Sequence, residues 1–65
     1  METTQLRLDR LNGFIESKEL KDDLAEFGLE YPIRINDLIQ NTEAVYELIN
    51  DRDMFTHSEY ARIAR

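Results

Sequence analysis

The chain has no cysteine. That excludes disulfides and thiolate metal sites, and it gives no sign of a stapled secreted scaffold. A single histidine, His57, argues against a zinc site. Tryptophan is absent, and Gly13, Gly28 and Pro32 are the only strong breaks in the chain. Positive charge is scarce too: 8 Lys and Arg face 14 Asp and Glu, a net charge of −6. An autonomous nucleic-acid binder normally shows a basic face, so direct nucleic-acid binding is not expected. The same balance disfavours attraction to anionic membranes. No apolar run reaches the roughly 18 residues of a membrane-spanning helix. Met1-Glu2-Thr3-Thr4 lacks a basic segment followed by an apolar core, so no signal peptide is expected. A cytoplasmic location follows as the expectation.

What is present is enough for a fold: 42% hydrophobic residues alongside 34% charged ones. With 65 residues there is room for one domain. A core of that size rarely supplies more than about 3–5 kcal/mol without disulfides, metal or oligomerisation. Efficient helix packing or self-association must therefore stabilise it, and a homodimer is one expected state.

No repeat, linker or low-complexity tract interrupts the chain. From Gln5 to Ile15, Leu8, Leu11, Phe14 and Ile15 share a helical face, with Gly13 opposite. Asn12-Gly13 is also a hairpin signal, but the flanking residues do not alternate, so a helix is expected. Ser17 can cap a second helix over Lys18–Phe27, closed by Gly28 in a left-handed conformation with a Leu24–Leu29 contact. Leu29, Tyr31, Ile33 and Ile35 alternate, but Pro32 and the lack of a partner strand predict only an extended connection over 29–35. A third helix should follow Asn36 as its cap, with Asp37 in the first turn and Asn41-Thr42 as a point of breakage. It should end at the polar stretch Asn50-Asp51-Arg52-Asp53. Thr56-His57-Ser58-Glu59 matches the capping box, and Phe55 with Tyr60 completes a hydrophobic staple, so a last helix starts near His57. The expected fold is all-α: a compact bundle of three to four short helices.

Two features of this layout bear on function. Glu19, Asp22, Asp23 and Glu26 fall at i, i+3, i+4, i+7 on the second predicted helix. That spacing makes an acidic stripe beside the apolar Leu20, Leu24 and Phe27. Like charges at i,i+4 cost about 0.2–0.5 kcal/mol in an isolated helix. The stripe is either a solvated face that keeps the protein soluble or a docking surface for a partner with a basic patch. An inhibitor that imitates nucleic acid and occupies a basic site is the sharper version, though Lys18 and Lys21 dilute the field. The second feature is the third helix, whose Leu38, Ile39, Val45, Tyr46, Leu48 and Ile49 cover about half the wheel. That is more than a small bundle covers, so an edge at Ile39, Tyr46 and Ile49 is expected to serve partner binding or self-association.

Other constellations read as structure. Asp51 and Asp53 resemble part of a cation loop but lack its third donor, glycine and distant glutamate. His57 and Ser58 are neighbours whose side chains diverge by about 100° on a helix, which does not make a nucleophile and base. No enzyme, cofactor or metal is expected. Residues Phe55 to Ala64 resemble the opening helix of a helix-turn-helix domain. The sequence stops at Arg65 with no recognition helix after it, so a complete DNA reader is not expected. A weaker reading gives Arg62 and Arg65 of a dimer a contact with nucleic acid. The size and acidity suit a small bacterial or phage accessory regulator that binds another protein without catalysis.

Overall fold

The computed structural model describes residues 3–51 and 53–64. The described elements are α1 (Thr4–Ser17), a 3-10 helix (Asp23–Phe27), α2 (Ile35–Gln40), α3 (Thr42–Asn50) and α4 (His57–Ala64). No strand occurs among the described residues, so the all-α bundle is as expected. The radius of gyration, 10.7 Å, matches the roughly 11 Å of a close-packed chain of this length.

α1 begins at Thr3, whose Oγ1 accepts from the Leu6 N–H at 3.2 Å. It buries Leu8, Leu11 and Ile15, half-buries Phe14 and leaves Gly13 exposed, the face predicted. It also continues past Ile15 to Ser17, which overturns Ser17 as the cap of a second helix. The Ser17 hydroxyl instead donates back to the Phe14 carbonyl. The reason lies two residues on. Glu19 has φ 58°, in the left-handed region. The Glu19 N–H bonds the Glu16 carbonyl at 3.2 Å and the Leu20 N–H bonds the Ile15 carbonyl at 2.9 Å. This is a Schellman ending, with glutamate where glycine is usual. It carries Leu20 against the core, where it is half-buried.

The predicted helix over Lys18–Phe27 therefore reduces to turns followed by the short 3-10 helix. Its end is as expected: Gly28 has φ 74°, and Leu29 N–H bonds the Leu24 carbonyl at 3.0 Å. The connection from 29 to 34 buries Leu29 and Ile33 and bends at a cis Tyr31–Pro32 peptide. Its missing strand partner is a side chain. Asn12 donates from Nδ2 to the Ile33 carbonyl and accepts the Ile33 N–H at Oδ1, both at 2.9 Å.

α2 starts two residues earlier than predicted. Arg34, not Asn36, is its N-cap residue, because the Asp37 carboxylate reaches back to accept the Arg34 N–H at 2.9 Å. Asn41 (φ −123°, ψ 42°) separates α2 from α3, and the Thr42 hydroxyl bonds the Leu38 carbonyl. The capping box of α4 forms as predicted: Thr56 N–H to Glu59 Oε1 at 2.8 Å, Glu59 N–H to Thr56 Oγ1 at 3.2 Å.

α1 packs on α4, and α3 packs on α2, the 3-10 helix and α4. The core joins Leu8, Leu11 and Ile15 to Leu24, Leu29, Ile33, Val45, Leu48, Phe55 and Ile63. Polar ties reinforce these contacts. Lys18 pairs with Glu59 at 2.8 Å, Arg10 Nη1 donates to the Arg62 carbonyl at 3.0 Å, and the Tyr60 hydroxyl donates to Asn50 Oδ1 at 2.8 Å. The Phe14 ring lies 6.5 Å from that of Phe55, with the Arg62 guanidinium 5.9 Å from its centroid.

Candidate docking surface

Helix α3 has only nine residues, so it presents two and a half turns. Val45 and Leu48 point into the core, and Leu38 and Ile49 are half-buried beside them. Tyr46 stays 62% exposed and Ile39 73%. Ile39 and Tyr46 are thus exposed, while Ile49 is half-buried and packs against the core.

The two sides of Tyr46 differ. On one side a groove of about 480 Å³ opens between α1, α2, α3 and α4. Leu8, Leu11, Leu38, Val45, Ile49 and Ile63 give it an apolar lining. Thr4, Arg7, Thr42, Asn50 and Tyr60 supply polar groups around it. The α1 contribution, Thr4, Arg7, Leu8 and Leu11, follows i, i+3, i+4, i+7, a pattern readable in the sequence but not singled out there. Arg7 Nε is closed off from solvent and has no acceptor. On the other side of Tyr46, a shallower depression is bordered by Phe27, Glu43, Glu47 and Asp51. Tyr46 is thus a ridge between an apolar groove carrying a cation and an acidic flank.

The acidic quartet does not form the predicted helical row. Glu19 sits in the left-handed turn after α1, Asp22 precedes the 3-10 helix, and only Asp23 and Glu26 lie within it. A left-handed residue redirects the chain, so the spacing of about 100° per residue that aligned the four no longer applies. Glu19, Asp22 and Glu26 are exposed and Asp23 is half-buried. Lys21 lies beside them with its ammonium 4.6 Å from the Tyr31 ring centroid. The Tyr31 hydroxyl donates to Glu16 Oε2 at 3.1 Å, and burial followed by that carboxylate raises its pKa above the ordinary 10.0.

The remaining polar groups have local roles. Asp51 Oδ1 accepts the Asp53 N–H at 3.0 Å, closing the turn after α3. His57 and Ser58 are exposed at the start of α4. Glu59 has its carboxyl held below the usual range, first by Lys18 and then by the Thr56 N–H. No group of three metal-ligating side chains comes together among the described residues. No helix among them is long and apolar enough to cross a membrane. Arg62 is exposed on α4, and Arg65 lies outside the described residues. No known protein family, curated protein or solved structure matches this chain.

Proposed function

We propose that this chain is a small, non-enzymatic protein-binding module that docks a partner through the face bearing Ile39, Tyr46 and Ile49. The observation that carries this reading is the exposure of Tyr46, which lines the apolar groove, together with that of Ile39. Exposed aromatic and aliphatic groups beside a pocket are the usual anchors of protein interfaces. The acidic groups Glu19, Asp22, Asp23 and Glu26 act at longer range, steering a partner with a basic patch toward that anchor. In this reading the protein is a cytoplasmic regulator or adaptor of the accessory kind found in bacteria and phages, and it needs no cofactor. Imitation of nucleic acid is disfavoured, because it needs an ordered row of carboxylates and the turn at Glu19 breaks the row.

Affinity capture from the source cell, with wild type beside Tyr46→Asp and Ile39→Asp, tests the reading. A partner that survives high salt on the wild type and is lost from both variants is the expected result. Capture unaffected by either substitution refutes it. Charge reversal at Asp22, Asp23 and Glu26 should weaken capture at low salt only; abolition at every salt concentration would restore the nucleic-acid imitation.

A further inference from the structure

Building on the reading of this face as a docking surface, we infer that its occupant is a second copy of this chain, in a two-fold dimer. Each Tyr46 fills the other copy's groove, and the Glu43–Glu47 flank of each α3 lies over the other copy's Arg7. A two-fold interface uses one patch twice, so the patch must carry both the projection and the recess that receives it. Here both lie on α3 and its immediate border: Tyr46 projects, and the groove of about 480 Å³ opens directly beside it.

Charge fixes the register. Across the face the order is α1 with Arg7, the groove, the Tyr46 ridge, then Glu43 and Glu47. A two-fold axis running along the boundary between groove and ridge exchanges those two features. The same operation carries the Glu43–Glu47 flank onto α1, where Arg7 is half-buried at the groove and forms no ion pair among the described residues. Neither glutamate has an ion pair or side-chain hydrogen bond among the described residues. Two chains of net charge −6 repel in most orientations. This orientation instead sets opposite charges together in both halves at once. An ordinary stable interface covers about 800 Å² per partner, roughly a sixth of this chain's 4628 Å² accessible surface. That is the area such a dimer would have to cover.

The experiment is sedimentation equilibrium of the full chain from micromolar to millimolar concentration, with far-ultraviolet circular dichroism to confirm that each variant is folded. The wild type should dimerise. Tyr46→Asp should raise the dissociation constant about thirtyfold or more, the loss typical of a buried interface tyrosine. Arg7→Glu alone and Glu43→Lys with Glu47→Lys should each weaken the dimer, and combining all three should restore it. Arg7→Gln serves as the milder variant if Arg7→Glu disturbs α1. A wild type that is monomeric at millimolar concentration overturns the inference, as does a dimer indifferent to Tyr46→Asp or a charge exchange without recovery. A monomer that still loses its captured partner on Tyr46→Asp overturns the dimer alone. A monomeric wild type whose capture is also insensitive to Tyr46→Asp overturns the reading of the face as well.

Discussion

Asn12 is the residue whose replacement should cost this fold most for its size. Its amide makes both hydrogen bonds to the Ile33 main chain at 2.9 Å, across 21 residues of sequence. Ile33 is 1% exposed, so both groups are sheltered from water while Asn12 is in place. Asn12→Ala leaves an N–H and a carbonyl unsatisfied, at about 1–3 kcal/mol each when buried. Alanine returns up to about 0.7 kcal/mol through its better helix propensity. The net loss is therefore about 1–6 kcal/mol, comparable with the roughly 3–5 kcal/mol that a core of this size supplies. For a domain this small, that is a fall in melting temperature of at least about 5 °C. Urea unfolding followed by circular dichroism measures it. Asn12→Asp keeps the acceptor for Ile33 N–H but turns a charge on the Ile33 carbonyl, so it should fall at least as far at neutral pH. A loss below about 0.5 kcal/mol for Asn12→Ala would show that the connection is held by Leu29 and Ile33 burial alone, and that the clamp is incidental.

Three further outcomes follow from the backbone and the caps. Glu19→Gly should stabilise by roughly 0.5–1 kcal/mol, since the left-handed residue costs about 1–2 kcal/mol without glycine and glycine costs part of that back in the unfolded chain; destabilisation in urea would contradict the Schellman ending. Gly13→Ala should add about 1 kcal/mol, because the position is an exposed helix interior and a Cβ there meets nothing within 4 Å; an unchanged thermal melt would contradict it. The Glu59 carboxyl is held below its ordinary value of 4.5, so its contribution is present above the unfolded value and lost as pH falls through the folded one. The stability gap between wild type and Glu59→Gln should accordingly narrow as pH drops from about 5 to about 3; a gap independent of pH would remove the Lys18–Glu59 bridge from the account.

Legibility followed the reach of each interaction. The capping box at Thr56 and Glu59 closes within three residues, and the ending at Gly28 uses the residue type that the left-handed conformation prefers, so both were readable. The end of α1 was not, because Ser17-Lys18-Glu19 has the composition of a helix start while Glu19 adopts a conformation that favours glycine. Only the destination of Leu20, packed on a core assembled from the whole chain, explains that choice. The Asn12 clamp was equally hidden. Asn12-Gly13 reads locally as a turn, and nothing near it points to Ile33. Similarly, the excess width of the third helix announced exposed apolar residues, but Arg7 entered the site only through the placement of α1 across the groove.

These differences change what the charge can do. A regular row of carboxylates on one helix could offer a patterned ligand, with each group meeting a fixed partner. Once Glu19 leaves the row and Asp23 is half-buried, the acids contribute a field and no template. A field alters how often a basic partner arrives, and salt screens it over about 8–10 Å. The lifetime of a complex depends on what is desolvated at its centre, which in the proposed docking is Tyr46 with Ile39 and the groove. Salt should therefore slow association with a basic partner while leaving dissociation nearly constant, and Tyr46→Asp should do the reverse. An acidic surface and an apolar anchor that separate in this way are two devices for one contact. If both perturbations acted on dissociation alone, the carboxylates would lie inside the interface, and the ridge at Tyr46 would not be its centre.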